Sequence, residues 1–79
     1  MGYTVTAQID VAVGDWTGSR QVPAFGIPDG LPVQNAEQAA RWGLSVLTTM
    51  LVTGGDVTAI HLCAVEDDGP GTAFLDKVL

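Results

Sequence analysis

His61 and Cys63 stand two residues apart, a spacing that on a β-strand puts an imidazole and a thiol on one face. Such a pair can supply two ligands of a metal corner or the base and nucleophile of a thiol enzyme. A zinc site needs three or four ligands, and a thiol nucleophile needs a base that a third group orients; the sequence places neither nearby. Both residues are flanked by apolar neighbours. The pair therefore reads as a small buried thiol and a histidine hydrogen-bonded in the core or at an interface. At an interface, titration of His61 near about pH 6 would weaken assembly.

Other candidates for chemistry are thinner. Glu66, Asp67 and Asp68 are hard-cation donors without the ligand spacing of a calcium loop, and they read as a solvated charge run after a strand. Asp10 has no second carboxylate at a defined offset, so paired acid–base catalysis lacks its second group. Gly54-Gly55 and Gly69-Pro70-Gly71 are turn signals, and the glycine pattern of a phosphate loop is absent. The expectation is a non-enzymatic protein with no catalytic residues, metal site or cofactor. Trp16, in a loop, and Trp42, at the boundary of a helix's apolar arc, are large aromatics that either close a core edge or anchor an interface.

The element with the clearest pattern is a helix over residues 35–53. With residues about 100° apart, Ala36, Ala39, Ala40, Gly43, Leu44, Val46, Leu47, Met50 and Leu51 share one arc, and Glu37, Gln38, Arg41, Ser45, Thr48 and Thr49 lie opposite. Asn35 is an N-cap residue, Gln38 is placed to reach back to the Asn35 amide, and Gly54 is placed to end the helix. The Ala/Gly half of the dry arc lets a sheet approach closely.

The strands that must supply that sheet are also visible. Residues 1–13 form a strand: Tyr3, Val5, Ala7, Ile9, Val11 and Val13 alternate with Thr4, Thr6, Gln8, Asp10 and Ala12, dry on one side and wet on the other. Residues 14–34 hold a turn, a second strand over 19–25 and a loop. Val22 and Ala24 face one way and Pro23 and Phe25 the other, and Pro23 confines this strand to an edge. Ile27-Pro28-Asp29-Gly30 is a tight turn. Residues 56–66 are apolar on both faces, with Ile60, Leu62 and Ala64 on one and Val57, Ala59, Cys63 and Val65 on the other, interrupted by His61; such a strand is central. Residues 67–79 are a turn and tail, and the spacing of Phe74, Leu75, Val78 and Leu79 tips the tail toward a short helix. Short matches between Val5-Thr6-Ala7 and Val57-Thr58-Ala59, and between Ala12-Val13 and Ala64-Val65, read as shared strand chemistry. The fold class is α+β: a single small domain, β-β-α-β, one amphipathic helix on a mostly antiparallel sheet, with a short C-terminal element left open.

This layout of strand, proline-bearing segment, capped helix and strand resembles the N-terminal part of HicB-type antitoxins, which have a partial ribonuclease-H-like fold. The resemblance covers about two thirds of the chain and is one of layout. The acidic, glycine-punctuated motif that precedes the helix in that family is missing here, as is an added DNA-binding segment. The resemblance implies a toxin as partner.

Composition narrows the function classes. Nine acidic residues face three basic ones (Arg20, Arg41 and Lys77), for a net charge of −6. Without a positive stripe, direct nucleic-acid binding is disfavoured. The single cysteine forms no internal disulfide, no secretory signal opens the chain, and the longest apolar run, residues 44–52, is too short to cross a bilayer; a cytoplasmic protein is expected. Abundant Gly, Ala, Val and Asp with scarce Lys, Asn, Tyr and Ile fit GC-rich codons, as in an actinobacterium or its phage. At 79 residues and 47% hydrophobic, one helix cannot cover both faces of the sheet. The leading expectation is an interaction module that self-associates as a dimer and binds another protein, acting on a host protein. Its interface candidates are Trp16, Phe25, Trp42, Val57, Ala59, His61, Cys63 and Val65. The alternative is a small-ligand protein or enzyme subunit with a pocket between the sheet and residues 14–34.

Overall fold

Strict alternation in β1 (Tyr3–Val13) buries Tyr3, Val5, Ala7, Ile9 and Val11 against the helix and leaves Thr4, Thr6, Gln8 and Asp10 on the opposite face. The computed structural model describes residues 2–28, 30–51 and 55–79. After β1 come β2 (Trp16–Gly26), α1 (Ala36–Met50), β3 (Asp56–Glu66) and β4 (Thr72–Val78). The strands form one four-stranded antiparallel sheet in the order β2-β1-β3-β4, so two hairpins meet along β1 and β3. The α+β class and the central position of β3 follow the sequence expectation.

Helix α1 crosses β1, β3 and β4 and leaves β2 beyond its reach. Asn35 is extended (φ −155°, ψ 172°), and its Oδ1 accepts the Gln38 N–H at 2.9 Å. The Gln38 side chain reaches one residue further back than expected and accepts the Gln34 N–H at 2.8 Å. The helix is shorter than the expected 35–53: Leu51 is already extended (φ −71°, ψ 118°), its N–H donating to Leu47 O at 3.1 Å. Val52 and Thr53 of the expected span and the expected terminator, Gly54, lie outside the described residues, as does Asp29 of the expected turn at Ile27. Ala36, Ala39, Ala40, Gly43 and Leu47 are buried, whereas Met50, the last helical residue, is 50% exposed despite its place on the dry arc.

Two irregularities change which side chains share a face. In β2, Phe25 lies opposite Val5 and Val22 opposite Ala7, with a register shift between them. Val22 and Phe25 therefore share the helix side, contrary to simple alternation, and Pro23 and Ala24 occupy the irregular, exposed edge. In β3, Asp10 pairs with Ala59 but Val11 with Val57, so Thr58 is an extra residue and Val57 turns to the helix side, where it packs on the core. Ala7 thus faces the helix while Ala59 faces away, and the short sequence matches do not mark equivalent positions.

The tail is corrected from helix to strand. A turn closed by Glu66 N–H donating to Gly71 O (2.8 Å) folds residues 72–78 back along β3. Pairing there satisfies more backbone groups than a single frayed turn of helix would. Trp16 is likewise no loop residue. It pairs with Val13 across the two-residue Gly14-Asp15 turn, where Gly14 takes the positive φ of 58° that the first central position of such a hairpin turn needs.

Candidate functional site

The face of the sheet opposite α1 is not covered by any other described element, and its side chains form the candidate site. It divides along the strands. The β1–β2 half is polar, presenting Thr4, Thr6, Gln8 and Asp10 beside Thr17, Ser19 and Gln21. The β3–β4 half presents apolar Cys63 and Val65 beside Phe74, and Val78 beyond the His61–Asp76 pair; Phe74 and Val78 are 77% and 84% exposed.

His61 stands at the boundary. It lies directly opposite Asp76 on β4 and one diagonal step from Asp10 on β1. The hydrogen bonds at Glu66–Gly71 and Leu79–Thr58 fix the ladder parity, so His61 and Asp76 form a non-hydrogen-bonded pair, the kind whose side chains approach most closely. His61 Nδ1 is 2.8 Å from Asp76 Oδ1, and Nε2 is 3.2 Å from Asp10 Oδ2. A neutral imidazole donates from only one nitrogen and would turn a lone pair toward the other carboxylate. The hydrogen bond to Asp76, and then that to Asp10, accordingly raise the His61 pKa above its usual 6.5.

This geometry constrains the chemistry. With both ring nitrogens engaged by carboxylates, neither is free to take a proton from Cys63. The two carboxylates sit on opposite edges of the ring and do not converge on one point, and among the described residues no group of three or more His, Cys, Asp and Glu is arranged to hold a metal ion. Beside His61 runs an open trough of about 350 Å³, lined by Thr6, Gln8, Gln21, Cys63, Phe74 and Asp76. Gln21 brings the 14–34 segment to this trough, but the hollow formed by the rest of that segment, at Tyr3, Ile27, Pro28, Gly30, Leu31 and Val33, is separate from His61.

The interface candidates are scattered by the fold. Ala59, His61, Cys63 and Val65 share the uncovered face, with Ala59 buried at 9%. Val57 and Phe25 pack against the core from the helix side. Trp42 is 37% exposed on α1, and Trp16, 53% exposed, lies over Gly18 at the hairpin end, where a Cβ at residue 18 would be 2.5 Å from its ring. Sequence reasoning put Asp10 on the wet side of β1 but without a partner, and it missed Asp76, Phe74 and Val78 as members of this face because β4 had no strand reading. Within the acidic run Asp67 is local scaffolding: its Oδ1 accepts from Thr4 Oγ1 at 2.6 Å, and its N–H donates to Gly2 O at 3.0 Å, tying the β3–β4 turn to the start of β1. Among the described residues no helix is long and apolar enough to cross a membrane.

Compared with protein-family models, curated proteins and solved structures, the chain matches none of them.

Proposed function

We propose that this chain is a small non-enzymatic interaction module that self-associates as a dimer and binds another protein. The observation that carries the reading is the uncovered sheet face, whose β3–β4 half presents Cys63, Val65, Phe74 and Val78. A domain of this size buries a smaller share of its surface than a larger domain does, and apolar side chains beside a rim of charge and amide groups have the composition of a protein contact. An accessory role in a phage or actinobacterium, a cytoplasmic location and a host protein as partner belong to the same proposal and rest on composition alone. Light scattering over a dilution series tests it: a dimer mass that persists to low micromolar concentration supports self-association, and a monomer mass throughout removes it.

A second reading, a small-ligand protein, is favoured by the trough in which His61, Gln8, Gln21 and Thr6 offer hydrogen bonds beside the Phe74 ring. A thermal-shift panel of polar metabolites supports this reading if a compound raises the melting temperature of the wild type and not of a Gln21→Ala variant. A flat panel counts against it.

A further inference from the structure

Resting on the self-association proposed above, we infer that the dimer forms edge to edge, β4 pairing antiparallel with β4 of a second copy about a two-fold axis to make one continuous eight-stranded sheet.

The backbone supplies the first argument. Gly71 O accepts from Glu66 and Leu79 N–H donates to Thr58 O, so odd-numbered residues of β4 direct their peptide groups at β3. Thr72, Phe74, Asp76 and Val78 therefore direct theirs outward, a row of unpaired donors and acceptors that an added strand satisfies. The opposite edge of the sheet is interrupted, because β2 carries Pro23 and a register shift between its pairings with Val5 and Ala7. Interrupting one edge leaves the other to pair with itself, giving a closed two-fold contact instead of an open chain.

Charge and side chains agree. Two bodies of net charge −6 repel, yet β4 has one acid, Asp76, and one base, Lys77, and is neutral along its length. Phe74 and Val78, the most exposed of the large apolar side chains, flank Asp76 on the same strand and would be covered by the partner's edge. An axis at Asp76 would set two carboxylates directly opposite each other, which is unfavourable. An axis at Phe74 or Leu75, in the middle of β4, avoids that contact and keeps most of the strand paired.

The test is a self-crosslinking scan in a Cys63→Ser background with single cysteines introduced by Phe74→Cys, Leu75→Cys and Asp76→Cys. Ala24→Cys on β2 is the control, and light scattering is run in parallel. The residue at the axis meets its own copy, so disulfide dimers at 74 or 75 should form at least roughly tenfold faster than at 24, since the paired edge raises the local thiol concentration. A scattering dimer with no position above the control overturns the edge pairing and leaves self-association standing through the face. A monomer in scattering with no crosslinking above the control overturns both.

Discussion

Gly43 of α1 lies so close to Val5 of β1 that a methyl group at residue 43 would stand 3.0 Å from one Val5 methyl and 3.1 Å from the other. Val5 is fully buried, so any residue larger than glycine at this crossing forces Val5 or the helix to give by a few tenths of an ångström. Ala39 and Ala40 extend the same close approach toward the N-terminal end.

Gly43→Ala should therefore destabilise the fold. The overpacking cost of about 1–3 kcal/mol outweighs the gain of roughly 1 kcal/mol in helix propensity. In a Val5→Ala background the same change should become neutral or stabilising. Urea denaturation of the four members of the cycle measures the coupling, and purely additive effects would contradict the contact.

Along the same helix, Leu47 is 1% exposed and Met50 50% exposed, although both lie on the apolar arc. Leu47→Ala is expected to cost about 2–5 kcal/mol, and Met50→Ala less than about 1 kcal/mol. Comparable losses in chemical denaturation would place Met50 back in the core.

At the helix start, Asn35→Ala removes the acceptor for the Gln38 N–H. A loss of about 1 kcal/mol is expected, with Asn35→Asp close to wild type. Equal losses in both variants would show that the cap is not the cause.

The bulge at Thr58 separates two residues that alternation would place together. Val57→Lys buries a charge on the helix side and should cost about 1–3 kcal/mol of stability, whereas Cys63→Lys, on the uncovered face, should fold normally. Melting curves distinguish them; the reverse ranking would restore Val57 to the outer face.

The Asp10–His61–Asp76 row gives a pH dependence of definite sign. The His61 pKa is raised in the folded state, so its contribution is fully present below the unfolded value near 6.5 and is lost as pH rises through the folded value. The stability advantage of wild type over His61→Gln should be largest below about pH 6.5 and shrink as the pH rises above it. An advantage that grows with pH would refute the arrangement.

The sequence by itself determined the local elements. Alternation from Tyr3 to Val13, the Asn35-capped amphipathic helix, the doubly apolar β3 and the edge role of the Pro23 strand are periodicities and steric rules contained within short windows, and they were legible there. The close approach at Gly43 was legible for the same reason. Only the tertiary structure decided the rest. Phe74, Leu75, Val78 and Leu79 fit a helical spacing as well as a strand, and pairing with β3 settles the matter. A single extra residue at Thr58 reverses the face of Val57, and the β2 irregularity does the same for Phe25; no window of one strand contains the partner that defines register. His61 gathers Asp76 from 15 residues away and Asp10 from 51. That row exists because two hairpins join along β1 and β3, a long-range pairing that local residue preferences do not encode.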